Sequence, residues 1–126
     1  MAIVPLYAAA LALVFVGLSV RTIRLRGRFK ISIGDAGNAA MQRAMRVHSN
    51  FAEYVPLALL LLYFDEVAGA PPALLHTLGI ALIAGRVTHA FAVSQVREPR
   101  RLRPLGMALT FATLIGASLY LLWQAL

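Results

Sequence analysis

The chain has 126 residues, of which 60% are apolar and 13% are charged, and its formal net charge is +7. Its mean hydropathy is +0.76, and this apolar share exceeds that of ordinary soluble domains. There is no cysteine, which excludes disulfides and catalysis by a thiol of the chain's own. A membrane helix needs roughly 20 apolar residues, and four such segments predict one domain, residues 1–126, that is an all-α integral membrane four-helix bundle with up-down topology.

The first predicted helix covers residues 1–20 and contains no charged side chain. A cleaved signal peptide carries basic side chains before its apolar run, whereas in this chain four arginines follow the run, between residues 21 and 28. We therefore expect a helix that stays in the membrane. The connection after it is rich in residues that form turns, and either Asp35 or Asn38 is predicted to cap the second helix.

The second predicted helix, residues 39–64, is polar in its first half and apolar in its second. The polar half contains the run RVHSNFAEYVP, which ends at Pro56, a residue expected to kink the helix. Its polar side chains recur at i, i+4 and i+7 or i+8 and therefore share one helix face: Arg46, Asn50, Glu53 and Tyr54. Ionisable groups at membrane depth are costly, so this face is predicted to line the protein interior or a wet cavity.

The third predicted helix, residues 73–95, carries Arg86 and His89 within an otherwise apolar run. At 1.5 Å per residue, Arg86 lies roughly 20 Å and Glu53 roughly 16 Å below the outer ends of their helices. Similar depths on neighbouring antiparallel helices predict a buried ion pair between Glu53 and Arg86. The pair either only neutralises two buried charges or belongs to a ligand site, and the further polar side chains around it favour a site.

The fourth predicted helix, residues 105–126, again has no charged side chain. All twelve Lys and Arg residues lie between residues 21 and 46 or between 86 and 103, whereas the second connection holds Asp65 and Glu66. The positive-inside rule therefore places the first and third connections in the cytoplasm and both termini outside. Membrane topology and contact with anionic lipid explain the basic charge, and no nucleic-acid motif accompanies it.

The polar residues indicate one kind of ligand and exclude several kinds of site. Guanidinium groups beside Glu, Asn and Tyr suit a small anion that also carries amine or amide donors. The histidines His48, His76 and His89 do not have zinc-site spacing, so no metal site is predicted and His76 is expected to be structural. Ser49 adjoins His48, but neighbours on a helix point in different directions, which argues against a serine hydrolase.

Three runs of sequence resemble the MAPEG superfamily, the membrane-associated proteins in eicosanoid and glutathione metabolism: RVHSNFAEYVPL from residue 46, GRVTH from residue 85 and RLRPLGMALT from residue 101. The second-helix signature of that superfamily has Arg, Asn, Glu, Tyr and Pro at the spacing found here. The resemblance covers essentially the whole chain and is closest to the short bacterial members. It implies a homotrimer in the bacterial inner membrane, with glutathione as thiol co-substrate bound between subunits near the cytoplasmic face.

The resemblance also implies roles for individual residues. Those expected to bind glutathione are Arg26, Arg46, His48, Asn50, Glu53, Tyr54, Arg86 and His89. Arg101 is expected to stabilise the glutathione thiolate, and Arg100 takes that role if the loop is aligned without a gap. The chain departs from the well-studied eukaryotic synthases in helix three, where they carry two tyrosines and this chain has His89 and Val93.

Three functions are open at this point. The first is a glutathione-dependent membrane enzyme, of the transferase or peroxidase type, that acts on lipophilic electrophiles arriving through the bilayer. The second is a non-catalytic membrane trimer that binds a lipid or another anionic amphiphile in the same inter-subunit cleft, which the absent tyrosines favour. The third, a small four-helix drug exporter, is disfavoured because such transporters place a key carboxylate in the first helix, where residues 1–20 have none.

Overall fold

The computed structural model describes residues 2–126. These residues form four α-helices: α1 (Val4–Phe29), α2 (Ala39–Val67), α3 (Pro72–Ser94) and α4 (Leu102–Ala125). The all-α prediction is therefore confirmed. The predicted start of the first helix, Met1, lies outside the described residues.

α1 extends beyond its predicted end at Val20 and continues to Phe29. The residues between these two include no proline, and their arginines favour helix, so the basic segment that was expected to form a loop is helical instead. The helix ends where Lys30 adopts a left-handed conformation, with φ of 55°, and donates its N–H to the carbonyls of Arg26 and Gly27.

The start of α2 agrees with the sequence pattern. Oδ1 of Asn38 accepts a hydrogen bond from the N–H of Met41 at 2.9 Å and caps the helix. Asn38, rather than Asp35, is therefore the cap. Asp35 instead accepts from the N–H of Gly37 at 2.9 Å, and this glycine has a positive φ that most residues avoid. The connection is an ordered turn that leads into the first turn of α2.

Prolines mark the beginnings of the two helices that follow. α3 starts at Pro72, where a proline fits because the first N–H of a helix has no partner within it. α4 starts at Leu102 rather than at the predicted Leu105. The reason is that Pro104 lies in the first turn, where its missing N–H interrupts no helical hydrogen bond.

α2 and α3 form the centre of the bundle. α1 packs on α2 and contacts α3 only sparsely, whereas α4 packs most extensively on α3 and also contacts α2. α3 and α4 meet at glycines: a Cβ at Gly106 would lie 2.7 Å from the backbone nitrogen of His89 and 2.8 Å from the carbonyl oxygen of Gly85. Small residues allow membrane helices to approach closely and pack densely, so this contact holds α4 against α3.

The bundle has two chemically different ends. The basic end, residues 21–46 and 94–103, holds every Lys and Arg except Arg86. The acidic end, at the opposite side of the bundle, holds Asp65 and Glu66, which belong to α2 and not to the predicted connection because the helix continues to Val67. This segregation of charge matches the expectation that the connections differ in sign.

Side chains at the acidic end join helices to one another. Glu66 accepts hydrogen bonds from the backbone N–H groups of Ile3 and Val4, so a carboxylate meets the positive end of α1. The hydroxyl of Tyr7 lies 2.8 Å from Nδ1 of His76 and links α1 to α3, which gives His76 the structural role expected of it. From these contacts, α1 runs antiparallel to α2 and parallel to α3.

Within residues 2–126, three helices are long and apolar enough to cross a membrane by length and composition: α1, α3 and α4. α2 has a similar length, but its first half carries the polar run that begins at Arg46. Large apolar side chains stand exposed along the bundle, for example Leu13 at 74% and Ile80 at 60%. Such a surface suits lipid or another subunit rather than water.

Gly106→Ala is expected to lower the free energy of unfolding by about 1–3 kcal/mol, because the added methyl group overlaps the backbone of α3. Gly17→Ala is the control, since a Cβ at Gly17 meets nothing within 4 Å and alanine favours helix more than glycine does. Thermal unfolding in detergent, followed by circular dichroism, measures both variants. Equal midpoints for the two variants would contradict the close contact between α3 and α4.

Candidate functional site

A polar space opens at the basic end between α2, α3 and the start of α4. Its lining consists of Arg46, Ser49, Asn50 and Glu53 from α2, His89 and Val93 from α3, and Arg103 from α4. It has a volume of about 50 Å³ and adjoins a second polar space of about 260 Å³. We call the first space the polar cleft and the second the arginine rim. The rim shares Arg46, Val93 and Arg103 with the cleft and adds Gln42, Arg43 and Glu98.

One face of α2 supplies most of the polar cleft. Arg46, Asn50 and Glu53 follow one another at i, i+4 and i+7, and all three line the cleft. Arg46 and Glu53 are exposed in the single chain, whereas the nearby Phe51 and Val55 are buried in the core. α2 therefore turns an apolar face to the bundle and a polar face to the cleft, as the spacing predicted.

Arg86 lies behind the polar cleft and is only 1% exposed. Its Nη1 donates to Oδ1 of Asn50 at 2.7 Å, and its Nη2 lies 3.4 Å from the sulfur of Met107. The guanidinium carbon lies 5.6 Å from the centre of the Tyr54 ring, a distance that allows a cation–π interaction. Arg86 thus joins α3 to α2 and to α4.

The predicted ion pair between Glu53 and Arg86 is wrong. Among the described residues, Arg86 has the amide of Asn50 as its close oxygen partner and no carboxylate. Equal depth does not turn two side chains toward each other, and Glu53 faces the open cleft, where its carboxylate keeps its hydration. A neutral amide accepts from Nη1 of the buried guanidinium without the cost of desolvating a second charge, while Nε of Arg86 has no hydrogen-bond partner among the described residues.

His89 and Val93 lie one turn apart on α3, and both line the polar cleft. They are 4% and 6% exposed, and the backbone of His89 lies against Gly106. These are the positions at which the eukaryotic synthases carry tyrosines. The departure from that pattern therefore changes the wall of the cleft itself, because an imidazole and an apolar side chain replace two phenol hydroxyls.

The arginine rim contains an ionic cluster that the sequence reasoning missed. Oε2 of Glu98 accepts from Nη1 of Arg43 at 3.1 Å, and Oε1 lies 3.6 Å from Nη1 of Arg103. Nη1 of Arg43 also donates to the carbonyl of Val93 at 3.0 Å, near the end of α3. Glu98 is the single acidic residue between Arg86 and Arg103, and this isolated charge was the signal that the sequence offered.

Arg26 and His48, both expected to bind glutathione, lie on another face of the chain. Nη1 of Arg26 donates to the carbonyl of Gly34 at 3.1 Å and holds the first loop. Nε2 of His48 lies 3.0 Å from Oγ of Ser19, and its ring stacks on Phe15 with the centroids 4.7 Å apart. Both side chains therefore contact α1 or the first loop, away from the polar cleft of the same chain.

The arginines before and within the first turn of α4 differ in position. Arg101, expected to stabilise a thiolate, is exposed at the start of the helix and does not line the cleft. Arg100, the alternative, is exposed in the preceding loop. Arg103 was not singled out from the sequence, yet it is the arginine of this segment that reaches both the cleft and the rim.

The cleft and the rim together suit an anionic ligand. They contain three guanidinium groups, from Arg43, Arg46 and Arg103, and two carboxylates, from Glu53 and Glu98. Guanidinium groups bind carboxylates with two parallel hydrogen bonds, while a carboxylate in the same cleft accepts from an ammonium group. Residues 2–126 contain no group of three His, Cys, Asp or Glu side chains that could hold a metal ion.

Comparisons with known proteins match nearly the whole chain. The model of the MAPEG family matches residues 4–123. Two curated relatives, both called inner membrane protein YecN, come from Escherichia coli K12 and from Escherichia coli O6:H1. Each is 36% identical over 118 residues, which cover 94% of this chain and 88% of the relative. No solved structure matches the chain. With three helices that can span a bilayer, the chain is an integral membrane protein.

Asn50→Leu is expected to lower the free energy of unfolding by about 1–3 kcal/mol, because it removes the oxygen that accepts from Nη1 of the buried Arg86. Asn50→Asp is the matched control: it keeps an acceptor of the same size, and the attraction of its charge to the guanidinium offsets the cost of desolvating that charge, so its stability is expected to stay near that of the parent. Thermal unfolding in detergent compares the three proteins. A leucine variant as stable as the aspartate variant would show that this bond does not stabilise the bundle.

Proposed function

This chain belongs to the MAPEG family, and on that premise we propose that it is a glutathione-dependent membrane enzyme of the transferase or peroxidase type. The observation that carries the proposal is the polar cleft, in which two arginines, one free carboxylate and one amide converge at the edge of an apolar bundle. The proposed site faces the cytoplasm, with both termini outside, because the basic end holds nearly all the cations. The relatives are called inner membrane proteins, which supports the bacterial inner membrane as its location.

Glutathione is complementary to the charges of the cleft. It has two carboxylates, one ammonium group, two amides and a thiol. The two carboxylates suit the guanidinium groups of Arg46 and Arg103. Glu53 has no cation partner among residues 2–126, since Arg86 donates to Asn50 and not to Glu53. The carboxylate of Glu53 is therefore available to the ammonium group of the ligand. That Arg86 bonds Asn50 instead of Glu53 thus supports the proposed site.

The size of the cleft supports a site shared between subunits. Ligand pockets usually have volumes of about 300–1,000 Å³, whereas the polar cleft of one chain has about 50 Å³ and is open on one side. Arg26 and His48 lie on a different face, beside α1. If that face of one copy covers the cleft of the next, the contact is heterologous and closes into a ring. We take the ring to be the homotrimer that the family resemblance implies.

An apolar groove supports the same arrangement. It lies between α1 and α2, is lined by Leu11, Phe15, Phe51, Val55 and other apolar side chains, and has a volume of about 430 Å³. The face that carries it also carries His48. A neighbouring subunit packed on this face would bury apolar surface. The same contact would place the imidazole of His48 near the polar cleft of that neighbour.

The proposed chemistry is activation of the bound thiol. A thiol has a pKa of about 8.5 in water, and a guanidinium beside it stabilises the thiolate. The thiol gives its proton to water, and the thiolate sulfur forms a bond to an electrophilic carbon as the bond from that carbon to its leaving group breaks. The leaving group departs as an anion, which takes up the proton from solvent. Arg101 is our choice for the activating cation because it stands at the position that the family resemblance indicates, and it is exposed and unpaired among the described residues. It does not line the cleft of its own chain, so its side chain has to turn toward the bound thiol.

A second function rests on one feature of the cleft wall. Val93 places an apolar side chain, and His89 an imidazole, where phenol hydroxyls would contact glutathione. A cleft with that wall also suits a non-catalytic trimer that binds a lipid or another anionic amphiphile. Native mass spectrometry that finds a co-purified amphiphile at the site, which glutathione does not displace, would favour this function over the first.

Arg101→Ala is expected to reduce the thiolate absorbance of bound glutathione at pH 7 by about tenfold, while calorimetry still detects binding. Arg103→Ala is the matched comparison, and it is expected to weaken binding instead, because it removes a partner of a ligand carboxylate. Glu53→Gln is expected to weaken binding as well. The reverse result for the two arginines would assign activation to Arg103, and no binding by the parent protein would overturn the glutathione proposal.

Mixed trimers test the shared site. Arg46→Ala breaks the cleft and Arg26→Ala breaks the opposite face, so each variant alone is expected to bind little glutathione. Random mixing of the two in one trimer leaves about a quarter of the sites with both halves intact. Calorimetry of the co-expressed variants measures this fraction, with separately purified and then combined variants as the control. No recovery in the mixed trimers would contradict a site built from two subunits.

A further inference from the structure

A second groove lies between α1 and α3, and it shares no residue with the polar cleft or the arginine rim. Its volume is about 480 Å³. The groove exists because α1 contacts α3 only sparsely and packs mainly on α2. We call it the α1–α3 groove. Its walls are apolar toward the middle of the bundle and polar toward the basic end.

The apolar part of the groove faces outward at membrane depth. Val87 and Phe91 on α3 are 49% and 56% exposed, and Val14 of α1 forms the facing wall. All three belong to helices that are long and apolar enough to cross a membrane. An acyl chain that lies along this shallow groove therefore contacts apolar side chains of both helices.

The polar part of the groove contains one cation. Nη1 of Arg21 reaches across from α1 and donates to Oγ of Ser94 on α3 at 2.5 Å, and Oγ of Ser94 in turn donates to the carbonyl of Ala90. Gln95 completes this end and is exposed. Ser94 thereby anchors the guanidinium over the mouth of the groove, while the other N–H groups of Arg21 form no hydrogen bond within residues 2–126.

No opposite charge compensates Arg21. None of the acidic residues lines the α1–α3 groove, and the ion pairs among the described residues involve Glu98 with Arg43 and with Arg103 only. A half-buried cation above an apolar groove is complementary to a molecule with an anionic head and an apolar tail. Anionic lipids have this form, and each basic side chain near the membrane surface attracts them.

We propose that the α1–α3 groove is a binding site for an anionic phospholipid. The phosphate accepts from the guanidinium of Arg21 and from the amide of Gln95, and one acyl chain lies along Val14, Val87 and Phe91. The lipid fills the space that the sparse α1–α3 contact leaves open and adds a second link between these helices. The site is independent of glutathione, because it lies outside the cleft in which the thiol is proposed to bind.

Native mass spectrometry tests the site. Delipidated protein in detergent is titrated with dioleoylphosphatidylglycerol or with dioleoylphosphatidylcholine, and we expect the first lipid to bind about fivefold more tightly. Arg21→Gln keeps a hydrogen-bonding side chain but removes the charge, and it is expected to abolish the preference. Arg21→Lys keeps the charge and is expected to retain it. Arg24→Gln, an exposed arginine on the same helix outside the groove, is the matched control and is expected to retain it.

Two results would overturn the proposal. An equal loss of preference in Arg21→Gln and Arg24→Gln would mean that the lipids respond to net charge and not to this groove. The second result that would overturn the proposal is a second copy of the chain in the groove. Single-cysteine variants detect such a contact because the chain has no cysteine of its own. Efficient disulfide formation between copies of Val87→Cys in membranes would show that a subunit, rather than a lipid, covers the groove.

Discussion

The hydrogen bond between Arg86 and Asn50 holds the middle of the bundle, because a guanidinium that is 1% exposed needs a partner wherever the helices place it. The bond joins α3 to α2, the sulfur of Met107 adds a contact with α4, and the ring of Tyr54 covers the cation. Asn50 also lines the polar cleft. The residue that bonds the buried cation is therefore part of the candidate site, and Glu53 stays free in the cleft because Arg86 donates to the amide and not to the carboxylate.

The division of the predicted site residues between two faces is a consequence of helix geometry. Arg46 and Asn50 are separated by one turn and share a face of α2, whereas His48, midway between them, points to the other side and stacks on Phe15. A single chain cannot bring both sets to one ligand. A ring of copies can, since each subunit then offers its cleft to one neighbour and its α1 face to the other. The five residues from Arg46 to Asn50 thereby connect the geometry of α2 to the proposed assembly of the protein.

Periodicity and charge were sufficient to predict the four helices, the polar face of α2 and a cap at either Asp35 or Asn38, because each depends on residues close together in sequence. The predicted end of α1 was wrong because the apolar run ends at Val20, whereas the helix continues to Phe29 and ends where Lys30 adopts a left-handed conformation. The partner of Arg86 was wrong because residue counting measures depth along a helix but not the direction of a side chain around it. The Glu98 cluster was missed because it joins three segments whose contact only the folded chain reveals.

Glu98 explains how the arginine rim keeps its cations together without a ligand. Like charges that share a small space repel each other, and one carboxylate between Arg43 and Arg103 offsets that repulsion at 3.1 and 3.6 Å. The carboxylate of an anionic ligand offers these arginines the same chemistry as Glu98, so binding replaces one ion pair by another rather than adding a new one. In the proposed site, the net attraction for such a ligand at the rim is then modest, and discrimination between ligands would depend on Glu53, Asn50 and the wall formed by His89 and Val93.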